Sequence, residues 1–259
     1  MRFAVLDTNM PADWFDFLGE RVPIDQSDVL IVTDDYLDNY PKDHPCKVAL
    51  LIEPPLRKPH AYNAVYKNYE DFKYVFSFCK DVCQTLPNAQ LCYFGGSAIP
   101  TDLWGRYEKT KLLSMVVSHK RDLPGNKLRY QVIDAFSSKI ELFGFMRPIP
   151  NNFLGLKDYM FNICIENSRQ DWYYTEKICD CFALYTVPIY WGTDTIGDLF
   201  NPKGILQFSD MDELHEILLM IDENVYNNML PYIHENHMKA QELGLYDKNI
   251  KKAMSGVML

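Results

Sequence analysis

The stretch Phe161–Phe208 reads FNICIENSRQDWYYTEKICDCFALYTVPIYWGTDTIGDLFNPKGILQF, and its pattern decides the class of fold. An apolar run of strand length, Phe161–Ile165, ends in the polar cluster Glu166-Asn167-Ser168. A loop carrying Trp172, Tyr173 and Tyr174 follows, and Thr175-Glu176-Lys177 opens a helix reaching Leu184. A second strand, Val187–Tyr190, closes at Trp191-Gly192, and a further apolar run spans Ile205–Phe208. Strands alternating with helices predict an α/β fold with parallel sheets. In such sheets ligands gather at the carboxyl ends of strands and at helix N-termini, where both polar clusters fall. Thr175 and Glu176 also fit an ordinary helix N-cap with an acidic first turn. That simpler reading leaves Lys177 unexplained, because the helix dipole disfavours a cation there unless an anion is held nearby.

Working outward, near-continuous apolar runs recur at Phe3–Leu6, Val29–Val32, Val48–Ile52, Tyr74–Phe78 and Leu91–Phe94, then at Leu112–Val117 and Ile140–Phe143. Runs of this kind suit strands covered on both faces. Helical patterns are clearest at Lys127–Phe136, Thr175–Leu184 and Met211–Ile221, and the chain reads as helical from Asp212 onward. A turn-rich stretch at 95–111, GGSAIPTDLWGRYEKTK, predicts a break into an N-terminal domain, 1–103, and a C-terminal domain, 104–259, with a last helix folding back across the junction. The 259 residues suffice for two small domains. A net charge of −9 argues against a nucleic-acid partner. No apolar run approaches the roughly 20 residues that span a bilayer. The N-terminus begins as a short strand with an early Asp7 rather than as a signal peptide. Seven cysteines, mostly within apolar segments, read as reduced thiols of a cytoplasmic protein, in the host cytoplasm if the source is a virus.

The motifs Phe161…Glu166-Asn167-Ser168, Tyr173-Tyr174-Thr175-Glu176-Lys177, Val187-Pro188-Ile189…Gly192 and Phe200-Asn201-Pro202-Lys203 keep their order and spacing over about fifty residues. Together they resemble the signature of glycosyltransferase family 10, the α-1,3/1,4-fucosyltransferases, and especially its small, anchorless bacterial and viral members. The resemblance implies a GT-B fold, two Rossmann-like domains with an interdomain cleft. It implies an inverting, metal-independent transfer from a nucleotide-sugar donor to the hydroxyl of an oligosaccharide or other glycan. GDP-fucose is the favoured donor, with a UDP-sugar such as UDP-xylose as the alternative. No cofactor beyond that co-substrate is expected.

A second segment, Ser114–Phe136, supports the resemblance. Between Ser118 and Arg129 it carries Lys120, Arg121, Lys127 and Arg129 against Asp122, a basic concentration in an acidic protein. A strand ending at Ser118, a Pro-Gly turn and a helix from Asn126 would present that charge to a diphosphate; a solvated basic loop is the plainer reading. Arg129 matches the family's diphosphate contact. The resemblance draws the donor site from Ser118, Arg129, Glu166, Asn167, Ser168, Tyr173, Tyr174, Thr175, Glu176 and Lys177. Arg129 and Lys177 would hold the diphosphate, Tyr173 would touch the nucleotide base, and Glu166, Asn167 and Glu176 would bind hydroxyls. On the acceptor side VALLIEPP, Val48–Pro55, places Glu53 at a strand end as the candidate general base. Asp71 is its rival and His60 stands third.

Other signals carry less. Asp210-x-Asp212 matches a metal-binding pattern, but Asp210 with Glu213 reads as a capping box. His234-Glu235-Asn236-His237 lacks the histidine spacing of a zinc helix. Cys179 and Cys181 point different ways from one helix. No metal site is therefore expected. A function of another class, an inactive glycan- or nucleotide-binding module on the same fold, stays open, and the sequence assigns no oligomeric state.

Overall fold

The computed structural model describes residues 1–7, 12–144 and 147–258. They form two compact units, one comprising Met1–Phe94 with Gln170–Tyr173 and Tyr246–Leu259, the other Gly95–Arg169 with Tyr174–Leu245.

The first unit is built on strands β1 (Arg2–Leu6), β2 (Glu20–Arg21), β3 (Val29–Thr33), β4 (Lys47–Leu51), β5 (Tyr74–Ser77) and β6 (Ala89–Leu91). They form a six-stranded sheet in the order β2-β1-β3-β4-β5-β6, and every pairing is parallel. Register runs Val5↔Ile31, Ile31↔Val48 and Val48↔Tyr74 across its centre. Every residue of β3 and β4 is buried, as their unbroken apolar sequences require. Alternate side chains sort to the two faces. Leu30, Val32, Ala49, Leu51 and Val75 pack with Ala61 and Val65 of helix α1 (Pro59–Asn68) and Val82 of helix α2 (Lys80–Thr85). Val29, Ile31, Val48, Leu50 and Phe76 pack with Phe15 and with Ile250 and Met254 of the chain's last helix.

The second unit carries β7 (Lys111–Val117), β8 (Glu141–Gly144), β9 (Tyr159–Ile165), β10 (Val187–Trp191) and β11 (Leu206–Gln207) in the order β11-β10-β9-β7-β8, again all parallel. Helix α3 (Pro124–Phe136) follows β7, α4 (Phe153–Leu156) precedes β9, and α5 (Glu176–Ala183) links β9 to β10. Helices α6 (Met211–Met220) and α7 (Glu223–Leu243) complete it, and α8 (Tyr246–Met258) is the helix that packs with the first unit.

Differences from the sequence reading are local. The run Leu91–Phe94 is not a strand. The ladder lies at Ala89–Leu91, and Cys92 and Phe94 bury their side chains beyond it. Pro124-Gly125 is not a turn but the first turn of α3, with Pro at a position where its missing N–H is harmless. Helix α1 escaped notice because its pattern is weak: its fully buried side chains are Ala61, Tyr62 and Val65. By packing, 170–173 also belong to the first unit, and so does α8, the last helix. No helix among the described residues is long and apolar enough to cross a membrane.

Candidate functional site

The carboxyl end of β9 and the N-terminus of α5 form one hydrogen-bonded cluster. Thr175 caps α5, its Oγ1 accepting from the backbone N–H of Lys177 at 3.5 Å. Its own N–H and hydroxyl donate to the two oxygens of Glu166, at 2.9 and 2.7 Å. Glu166 is fully buried. The Lys177 ammonium lies 2.9 Å from Glu176 Oε1, 3.0 Å from Thr175 Oγ1 and 3.6 Å from Glu166 Oε2. Burial works against its charge, but Glu176 and Glu166 outweigh burial and hold its pKa above the ordinary lysine value. Burial raises the Glu166 pKa, opposed by Lys177, whereas at Glu176 burial is outweighed by the Lys177 charge together with hydrogen bonds from Lys177, its own backbone N–H and Thr175, and the pKa is lowered. The side chain of Lys177 keeps 23% of its surface exposed, so a charged lysine stands partly exposed at a helix N-terminus.

Helix α3 closes on the same strand end. Gly125 N–H donates to the Asn167 carbonyl at 3.0 Å, and a Cβ at Gly125 would fall 1.7 Å from the Glu166 carbonyl oxygen, so only glycine permits this approach. Arg129 then lies beneath the loop, 5% exposed. Its Nε donates to the Ile165 carbonyl at 3.1 Å and its terminal nitrogens donate to that carbonyl, to Asn126 Oδ1 at 2.8 Å and to Asn167 Oδ1 at 3.2 Å. The guanidinium expected on the diphosphate instead ties the strand end together. Ser118 is half-buried at the end of β7, its carbonyl accepting from Tyr130 OH at 3.2 Å. Lys120, Arg121 and Lys127 are exposed, with Arg121 over the Tyr130 ring at 3.7 Å.

The tyrosines depart from expectation. Tyr173 is 4% exposed in the apolar core of the first unit, 5.3 Å from the Phe78 ring. Tyr174 is 2% exposed, donates to the Leu243 carbonyl at 3.0 Å and stands edge-on to Phe200. Its ring fills the space above Gly95, where a Cβ would meet it at 2.0 Å. Both rings pack within their own units, Tyr173, the expected base contact, included. Beside them Trp172 adopts φ 61°, unusual for a bulky residue, and stands edge-on to Tyr93. Asn167 is half-buried, and Ser168 Oγ is buried with no hydrogen-bond partner. Sequence reasoning passed over Arg169, an exposed guanidinium paired with Asp194 and 5.8 Å from the Trp191 ring; its only signal was a cation directly after Glu166-Asn167-Ser168.

In the first unit the carboxyl ends of β3 and β4 build a second cluster. Asp34, directly after β3, is 6% exposed and accepts from the N–H groups of Ile52 at 3.0 Å and Glu53 at 2.9 Å. Tyr62 OH of α1 donates to the Glu53 carbonyl at 3.0 Å. The Glu53 side chain is half-buried, with Lys58 paired to Asp35 nearby. Burial raises the Asp34 pKa to about 7, and Glu53 pushes it in the same direction. Asp71 belongs elsewhere. It precedes β5, so in an all-parallel sheet it sits at the amino end, opposite to Glu53. There it accepts from Lys42 at 2.7 Å and Tyr40 OH at 2.8 Å, bonds that hold its carboxyl below the usual range. His60 lies exposed in the first turn of α1.

Asp210 caps α6 by accepting from Asp212 N–H at 3.0 Å and Glu213 N–H at 2.9 Å, and Glu213 reaches back to Ser209 N–H at 2.7 Å. Among the described residues no group of three or more His, Cys, Asp or Glu side chains stands ready to hold a metal ion.

Two all-parallel α/β units, each gathering polar side chains at the carboxyl ends of its strands, make this a GT-B-like protein, the architecture of one large class of glycosyltransferases. The family profile described as glycosyltransferase family 10 (fucosyltransferase) C-term matches residues 106–251, and the chain belongs to this family. An α-(1,3)-fucosyltransferase FucT of Helicobacter pylori is 38% identical over 80 residues, a stretch spanning 29% of this chain and 17% of that protein. A crystal structure of α1,3-fucosyltransferase with GDP-fucose aligns with a TM-score of 0.62 at 19% identity, over 98% of this chain and 88% of that one. The DNA modifying enzyme β-glucosyltransferase aligns with a TM-score of 0.54 at 12% identity, over 98% of this chain and 100% of that one. These two likenesses are of fold.

Proposed function

We propose that this chain is an inverting, metal-independent fucosyltransferase, moving fucose from GDP-fucose to a glycan hydroxyl. The observation that carries the reading is the charged, partly exposed Lys177 at the N-terminus of α5, held there by Glu166, Thr175 and Glu176 of the family motif. In this reading Glu53 takes the proton of the acceptor hydroxyl as its oxygen attacks the anomeric carbon from the face opposite the nucleotide. The bond from that carbon to the diphosphate oxygen breaks, and Lys177 with the α5 N-terminus stabilises the charge gathering on GDP. Asn167, Ser168 and Glu176 line the donor side. Arg129, Glu166 and Thr175 fix the loop that presents them. The free, mostly buried cysteines support work in a reducing compartment, the cytoplasm.

The test is a thermal-shift panel of GDP, GDP-fucose, UDP and UDP-xylose on the full chain with excess EDTA, followed by an assay for GDP release. A ligand at one hundred times its Kd stabilises by about 2.7 kcal/mol, a rise of roughly 5–10 °C at this size. The reading expects that rise from GDP and GDP-fucose, and GDP release in EDTA. A rise confined to the uridine compounds moves the donor to a UDP-sugar. Binding without any turnover makes the chain a binding module, and turnover only with added divalent metal removes the metal-free mechanism.

A further inference from the structure

We propose that Asp34 is a positioning residue for transfer: its buried carboxylate fixes the backbone of residues 52 and 53 and so aims the Glu53 side chain. The inference rests on the reading of Glu53 as the base. Strand β4 ends at Leu51, so the N–H groups of Ile52 and Glu53 lie beyond the last ladder pair, Leu51↔Ser77. Each is taken by one oxygen of Asp34, at 3.0 and 2.9 Å, and the Glu53 carbonyl is taken by the buried Tyr62 hydroxyl at 3.0 Å. Both ends of the Glu53 residue are thus held from within the unit while its side chain remains half-exposed. A water or a neutral side chain would satisfy two such N–H groups with far less desolvation than a buried carboxylate demands. What an anion adds is stiffness, through two charge-assisted bonds, where displacement of a reacting group by about 1 Å lowers rates about 10²-fold.

The charged and titratable groups around Asp34 are Glu53, Lys58 paired to Asp35, Asp7 through Thr33 Oγ1, and Tyr62. This surrounding gives the device a pH signature. As pH falls through about 7 Asp34 takes up a proton, one oxygen stops accepting, and the 52–53 backbone loosens.

The experiment compares kcat, donor KM and the pH profile of kcat in the full chain and in Asp34→Asn, which imitates the protonated form. Expected are a kcat lower by about 10- to 100-fold, a donor KM within about twofold of the parent, and loss of the parent's decline in kcat as pH falls through about 7. Glu53→Gln is run beside it and should lose at least about 10²-fold in kcat. If Glu53→Gln is inactive while Asp34→Asn keeps the parental rate, or keeps the inflection near 7, the positioning role is overturned and the base assignment stands. If Glu53→Gln turns over normally, both fall. Should Asp34→Asn fail to fold, Tyr62→Phe decides by removing the other tether without touching charge. A severalfold lower kcat at unchanged donor KM supports the inference, and a parental kcat overturns it.

Discussion

At the carboxyl end of the second sheet two cations, Arg129 and Lys177, stand among Glu166 and Glu176, and each makes hydrogen bonds within the cluster. At the carboxyl end of the first sheet stand Asp7, bonded by Thr33, then Asp34, Glu53 and the pair of Asp35 with Lys58. The two ends therefore suit different tasks. A compensated cluster at a helix N-terminus accepts the added negative charge of a diphosphate, while an anionic end repels it and suits a carboxylate that must take up a proton. The contrast also separates two kinds of cation. Lys177 keeps a partly exposed side chain, whereas Arg129, 5% exposed, spends its guanidinium on carbonyl and amide oxygens under the loop.

Removing Lys177 strikes hardest at this contrast. Lys177→Ala should lower kcat by about 10²- to 10³-fold, the scale of losing one preorganised charge-stabilising donor. It should lower Tm as well, since buried Glu166 loses its counter-charge. A kcat within tenfold of the parent would leave the second cluster without the role given to it here. Arg129→Ala tests the other cation. Its loss leaves the Ile165 carbonyl and two amide oxygens without their buried donor, which should destabilise by about 2–4 kcal/mol, a Tm lower by roughly 5–15 °C. Measured below that Tm, kcat should fall by less than about tenfold. An unchanged Tm with a kcat loss near that of Lys177→Ala would return Arg129 to the diphosphate.

How much of this was legible in the sequence depends on how local the cause was. The strand–helix–strand pattern of 161–208, the Thr175 cap and the Asp210 cap are written within a few residues, and the folded chain shows each where the pattern put it. The roles of Arg129, Tyr173 and Tyr174 are not local. Arg129 is drawn inward because Gly125 lets α3 approach the Glu166–Asn167 backbone, a contact across some forty residues. An aromatic in a loop reads alike whether it meets a ligand or a core, and only the packing of Tyr173 on Phe78 and of Tyr174 over Gly95 separates the two. Asp34 gave no signal at all, since the amides it holds lie eighteen and nineteen residues further on. Asp71, the rival to Glu53, differs from it in a way that only the topology shows: a carboxylate just before a strand and one just after a strand lie at opposite ends of a parallel sheet.

The smallest predicted effect sharpens the comparison through a pair of buried carboxylates. Asp180 on α5 matches Asp34 in burial, and burial raises its pKa likewise to about 7. Its partners differ: Ser97 Oγ at 2.6 Å, Ala98 N–H at 2.8 Å and Asn152 Nδ2 at 2.7 Å, none of them a member of the Glu166–Thr175–Lys177 hydrogen-bond cluster, although Glu176 one turn earlier on α5 also pushes its pKa up. Protonation at Asp180 should therefore be felt in stability and not in turnover. The folded pKa lies above the ordinary 3.8, so between these values the native state binds more protons than the unfolded chain. Stability from this group is fully present below about 3.8 and is lost as pH rises through about 7. Asp34 has the same sign, so the parent's Tm should decline over that window from both groups. Asp180→Asn removes one contribution and should flatten the decline, by a few degrees across the window, while the activity inflection near pH 7 stays as in the parent. If the slope is unchanged, the three hydrogen bonds already offset burial at Asp180 and the carboxylate is charged throughout. If instead the activity inflection disappears with Asp180→Asn, the proton that governs turnover sits on α5, and the division of labour between the two sheet ends is wrong.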